Sequence, residues 1–116
     1  MYKITIVAWR NPDMSVEDCR RWWIEEHAPI ARRMPSLKGY VINLAQKDEN
    51  GEEPLLMGTD DLFFESEEAF QTAWESAEWR EARAHTAASG IKAVRSTVHE
   101  VRIIDPETTG VIVRKG

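Results

Sequence analysis

The chain has 116 residues, with 15 Lys and Arg against 20 Asp and Glu for a formal net charge of −5. That length implies one domain with a single core, needing neither disulfides nor metals, and the scattered basic residues form no stripe for nucleic acid or an anionic membrane. The one cysteine, Cys19, cannot form an intrachain disulfide, and the chain opens on a strand-like segment without a signal-peptide pattern or a long apolar run, so a reducing, cytoplasmic setting is expected.

Tyr2 to Trp9 alternates in the manner of a strand, with Ile4, Ile6 and Ala8 on one face and Thr5, Val7 and Trp9 on the other. Asn11-Pro12-Asp13 is a turn. Ser15 then caps a helix, with Asp18 as capping-box partner and Glu17–Arg21 and Arg21–Glu25 spaced for surface ion pairs. Cys19, Trp23 and His27 recur every four residues and form one ridge; Pro29 predicts that the helix ends or kinks just after His27. Leu37 to Lys47 reads as a second strand, Asn50-Gly51 as a type I′ hairpin, and Leu55 to Glu65 as the antiparallel third strand. Ser66 opens a second helix carrying Phe70 and Trp74 on one face. A bend near Ser76 leads into a helical run, Glu78 to Ser89, closed by Gly90. Ala93 to Asp105 is the last strand. Residues 1–105 thus form the domain and 106–116 a tail whose apolar patch, Val111 to Val113, could touch an oligomeric partner.

The order β-α-β-β-α-(α)-β is the split βαβ pattern of a ferredoxin-like α+β sandwich, a four-stranded antiparallel sheet with helices on one face. Strands apolar on both faces leave the second face to be covered, most simply by the sheet of a second copy in a homodimer.

The run Cys19-x-x-x-Trp23-x-x-x-His27-Ala28-Pro29-Ile30-Ala31, followed by Met34-Pro35-Ser36-Leu37 and Tyr40-Val41-x-Asn43, resembles the EthD family of dimeric α+β barrel proteins. Phe64-x-Ser66-x-Glu68-Ala69-Phe70 is similar to that family's entry to its second helix. The resemblance spans Tyr2 to about Asp105 and implies a ferredoxin-like protomer whose sheet packs on that of a symmetry mate. Cys19 stands where the family usually has phenylalanine, and Ser36 where it usually has glycine. Relatives in the wider barrel group isomerise lactones, cyclise or dehydrate polyketide-like intermediates, oxidise aromatics without a cofactor, or bind haem. Fold alone therefore does not select a reaction.

His27 is the leading catalytic candidate, because an imidazole at a helix end beside apolar surface can accept and return a proton. The competing reading is a structural histidine capping backbone carbonyls. Asp60 and Asp61 sit mid-strand in an apolar segment and point to opposite faces; one is expected to face the helices and orient or ionise His27, the other to lie at a barrel rim, and the sequence leaves open which is which. Trp9, Trp23, Tyr40, Asn43, Trp74, Trp79 and His85 are candidate substrate-binding residues, with Tyr40 able to hydrogen-bond a developing enolate and His85 otherwise a surface partner of Glu81. Three histidines without a His-x-x-x-His or cysteine cluster give no metal centre, and a haem ligated by His85 or His99 has no specific support. The expected function is a cofactor-free enzyme that isomerises, cyclises or dehydrates a small apolar cyclic or polyketide-like metabolite by histidine acid/base catalysis. Two alternatives remain: a non-catalytic ligand-binding or accessory protein of a degradative pathway, and a cofactor-independent monooxygenase.

Overall fold

In the computed structural model, which describes residues 1–106, the elements run β1 (Tyr2–Trp9), α1 (Val16–Arg21), a π-helical turn (Trp22–His27), α2 (Ala28–Ala31), β2 (Gly39–Leu44), β3 (Leu56–Phe64), α3 (Glu67–Trp74), α4 (Ala77–Ser89) and β4 (Lys92–Val98). The sheet order is β2-β3-β1-β4 with every neighbouring pair antiparallel. This is the ferredoxin-like α+β topology. The expected contact of Val111 to Val113 with a partner lies outside the described residues.

Three of the helices, α1, α3 and α4, start at a serine. Ser15, Ser66 and Ser76 accept from the backbone N–H of Asp18, Ala69 and Trp79 at 3.0, 3.1 and 3.1 Å, and each such cap contributes about 1 kcal/mol. Asp18 does not close a capping box. Its carboxylate accepts from Arg21 at 2.9 Å, and Arg21 also reaches Glu25 at 3.8 Å, leaving no contact for the expected Glu17 pair. Gly90 ends α4 at φ 77°, a left-handed conformation that costs glycine nothing sterically.

Beyond shifts of one to three residues at other strand and helix ends, two features differ from those expected. The last strand stops at Val98, seven residues short of Asp105, because Val98 already pairs with Lys3 and β1 has only Tyr2 left to offer. Asn50-Gly51 is not a type I′ turn. The Gly51 N–H bonds to Asp48 C=O at 3.0 Å and the Asp48 N–H to Glu52 C=O at 2.8 Å, and only Gly51 of the pair has positive φ. Asp48 Oδ1, accepting from the N–H groups of Asn50 and Glu52, fixes this three-residue loop with its left-handed glycine.

The pairings Ile4↔Leu62 and Ile6↔Asp60 put those side chains under the helices, whereas Thr5↔Asp61 points outward. On the helix side the core is split. One cluster joins Ile4, Leu62 and Phe64 to Phe70, Ala73 and Trp79; the other joins Ala8 and Met57 to Cys19, Trp22, Trp23 and Ile91. Met57 reaches the second cluster through an irregularity opposite Ala8 and Trp9, where β3 carries one extra residue. Gly58, at φ 149°, permits this: a Cβ there would sit 2.0 Å from the Asn43 carbonyl oxygen.

Candidate functional site

The site begins with a proline. Pro29 has no N–H to give, and its ring would collide with a carbonyl one α-turn earlier. Of the end or kink expected after His27, the chain takes neither a stop nor a sharp bend but a wider preceding turn: the Ala28 N–H bonds to Trp23 C=O, five residues back, and the helix continues through Ala28–Ala31. A five-residue repeat stacks Trp22 on His27, with centroids 4.7 Å apart and planes 16° apart. His27 therefore lies over Trp22 rather than along the ridge with Trp23.

His85, from α4, completes this arrangement. Its ring is 5.0 Å from Trp22 at 5°, and its Nδ1 lies 2.9 Å from His27 Nδ1. With ring centroids 5.2 Å apart and planes 11° apart, the two imidazoles meet edge to edge on the indole. The surrounding bonds assign the protons. Thr86 donates its hydroxyl hydrogen to Ala82 C=O at 3.2 Å, so it offers a lone pair to His27 Nε2 at 3.5 Å. His27 then carries its hydrogen on Nε2, and His85 Nδ1–H donates to His27 Nδ1. Burial, and secondarily the His85 charge, push His27 down to about 4, so it is neutral at physiological pH. The ring caps no backbone carbonyl. The expected Glu81–His85 pair is absent because Glu81 accepts from Arg33 at 2.6 Å.

Across the cavity, Asp60 is 4 % exposed. Burial raises its carboxyl to about 7, with a hydrogen bond from the Trp23 indole working the other way and the Asp61 charge adding to the rise. Burial, then the Asp60 charge, lifts Tyr40 well above the usual phenol range, while a Trp23 hydrogen bond opposes the lift. Trp23 thus sits between the two groups. Even so, Asp60 Oδ1, the Tyr40 hydroxyl and Trp79 Nε1 have no hydrogen-bond partner of good geometry. Buried polar atoms are normally satisfied, so three residues that line one space and each hold such an atom mark a place where a polar ligand atom is wanted.

That space is a cavity of about 580 Å3 between helices and sheet, lined by Trp22, Trp23, Trp74, Trp79, His27, Tyr40 and Asp60 among others. The structure brings together most of the residues singled out in the sequence. Trp9, Asn43 and Asp61 lie on the opposite sheet face: Lys92 covers Trp9 at 5.7 Å, Asn43 donates to Thr59 Oγ1 at 3.1 Å, and Asp61 accepts from Thr5 at 2.6 Å. His85 supports His27 rather than lining the wall, and His99 follows the end of β4. Sequence reasoning did not pick out Thr86, Arg83 or Arg95, which also line the cavity. The spacing of Trp79, Arg83 and Thr86 along one helix was the available signal. Among the described residues no group of three or more His, Cys, Asp and Glu is placed to hold a metal. No described helix is long and apolar enough to cross a membrane.

Comparison with known proteins agrees with this architecture. The EthD domain model matches residues 11–88. No significant match exists among curated proteins. Among solved structures, an ethyl tert-butyl ether d (EthD) family protein from Bacillus halodurans superposes with a TM-score of 0.69 at 16% identity, covering 87% of this chain and 100% of that one. A dimeric ferredoxin-like protein of unknown function from Thermobifida fusca gives 0.54 at 19% identity over 84% and 92% of the two chains. A putative antibiotic biosynthesis monooxygenase from Deinococcus radiodurans gives 0.59 at 10% identity over 89% and 96%. Identities this low establish the shared fold alone.

Proposed function

The chain belongs to the EthD family, and on that premise we propose that it is a cofactor-free enzyme that moves a proton within a small, largely apolar carbonyl compound, leading to isomerisation, cyclisation or dehydration. The observation that carries this reading is that Asp60, Tyr40 and Trp79, each with an orphaned buried polar atom, all line one aromatic cavity. Asp60, near 7, populates both carboxyl and carboxylate at neutrality, as a group that must take and return a proton requires. Its carboxylate removes a proton from the carbon beside the substrate carbonyl. Tyr40, kept protonated by its raised pKa, donates a hydrogen bond to the oxygen as enolate charge develops. Asp60 then returns the proton to another carbon, or to a departing hydroxyl that leaves as water. His27, pushed to about 4, is a weak base at neutral pH; it serves as a neutral wall of the cavity, its Nε2–H held by Thr86 and its ring by His85 and Trp22. The shuttling role expected of His27 thereby passes to Asp60.

We place the reaction in a cytoplasmic homodimer in which two sheets pack face to face. Val41 and Val94, both about half exposed on the outer face, would be covered. A second reading shares the first step: a substrate deprotonated at Asp60 reacts with dioxygen, as the name of the Deinococcus neighbour invites. Mass-spectrometric turnover of lactones, phenolic ketones and polyketide-like enols tests both, with and without oxygen. Conversion by wild type but not by folded Asp60→Asn, unchanged under nitrogen, is expected. Oxygen consumption matching product selects the second reading. Saturable tryptophan quenching by compounds recovered unchanged would leave a carrier and sink both.

A further inference from the structure

The mouth of the cavity differs in charge from its floor. Arg83 on α4 and Arg95 on β4 both line the opening, and both guanidiniums meet the Trp74 indole, at 5.3 and 4.1 Å from its centroid. They come from elements on either side of the Gly90 turn, and Arg95 points to the helix side because it pairs with Ile6. Neither has a carboxylate within ion-pair distance among the described residues, although the chain holds 20 acidic residues against 15 basic ones. By contrast Arg20, Arg21 and Arg33 each have an acidic partner. Stacking on an indole fixes a guanidinium's plane while leaving its N–H edge available for bidentate contact with an anion.

We propose that the ligand of this cavity is an aromatic or alicyclic carboxylate, its anionic group gripped at the mouth by Arg83 and Arg95 and its ring enclosed by Trp22, Trp74 and Trp79. This rests on the cavity being the ligand site of the function proposed above, and adds the substrate class and its orientation. With the carboxylate at the cationic rim, the opposite end of the molecule meets Asp60, Tyr40 and Trp79 Nε1. The reverse orientation would bring the ligand's charge against a buried carboxylate that burial already disfavours in ionised form. Two cations at the opening of an acidic protein also give an anionic ligand a local attractive field.

The test is binding, read by tryptophan quenching, of benzoate, salicylate and 2-naphthoate, each against its neutral amide, at low and high salt. Wild type is expected to bind the carboxylates at least about tenfold more tightly than the amides, with the gap narrowing as salt rises. The gap should close in Arg83→Gln/Arg95→Gln and largely survive in Arg83→Lys/Arg95→Lys, both with unchanged circular dichroism. Equal affinity for acid and amide in wild type, a gap that survives the glutamine pair, or no quenching by any probe to about 1 mM overturns the proposal. Because the probes need not react, absence of turnover removes only the enzymatic reading, and loss of acid selectivity removes only this one.

Discussion

Asp60 and Asp61 are adjacent, chemically identical and separated by the thickness of one sheet. Asp61 faces outward, where it accepts from the Thr5 hydroxyl at 2.6 Å and lies 3.8 Å from the Lys3 ammonium. Asp60 faces inward, beneath the helices, with one oxygen unpartnered and its carboxyl raised to about 7. The outer face satisfies its polar side chains from within the chain; the inner face withholds partners from Asp60, Tyr40 and Trp79. A residue's role here is set by pleat parity, because parity decides between solvation with partners and burial without them.

The sharpest way to break this comparison is to remove each charge in turn. Asp60→Asn is expected to lower kcat on the order of 10^3-fold and Asp61→Asn to leave it within about threefold. Equal losses would mean that the sheet faces do not separate the roles. Tyr40→Phe, which removes one donor from the inner face, should lower kcat by roughly 10- to 100-fold with little change in KM.

Stability sharpens the contrast further. Asp60 has a folded pKa above its ordinary value of 3.8, so the native state holds that proton more tightly and stability falls as pH rises from there through about 7. Asp60→Asn should therefore gain roughly 1–3 kcal/mol at pH 8 in urea unfolding, a gain that vanishes near pH 4. Asp61→Asn should lose up to about 1 kcal/mol at pH 8, since it gives up Thr5 and Lys3. His27 has the opposite slope to Asp60: its folded pKa is about 4 against 6.5, so stability is lost as pH falls through that window. Wild type should be nearly flat between pH 4 and 6.5, Asp60→Asn should rise with pH there and His27→Gln should fall. The smallest effect is remote from both faces. Ser36 sits at φ 65°, where the family usually has glycine, and Ser36→Gly should add about 0.5–1 kcal/mol.

Sequence pattern carried the fold because its signals are local. Alternation in Tyr2–Trp9, serine caps at three helix starts and Gly90 at an end each act within a few residues. It also showed that Asp60 and Asp61 oppose one another. Assigning the inward one required the register, because the extra residue at Met57 disturbs counting from the strand's start. Pro29 announced a disturbance without revealing its form, since a missing N–H is compatible with either a stop or a wider turn. The edge-to-edge imidazoles and the paired arginines depend on contacts between elements far apart in the chain, which no local pattern encodes. His27 and His85 are separated by 58 positions.

The wide turn at Trp22–His27 also works as a phase correction. An α-helix rotates about 100° per residue, so one residue taken up in a wider loop resets the angular relation between the segments on either side. That reset lets Cys19 before it and Ala31 after it, 0 and 3% exposed, both face the core along one continuous rod. Deleting one residue within the turn would restore regular winding with Cys19 and Ala31 still on one face, since about 1100° of rotation lies within about 20° of whole turns, but it would remove the five-residue repeat that stacks His27 on Trp22. Ile24→Ala, at an exposed position, is thus expected to leave both soluble yield and turnover unchanged, whereas deletion of Ile24 should keep soluble yield and lower turnover through the displaced His27.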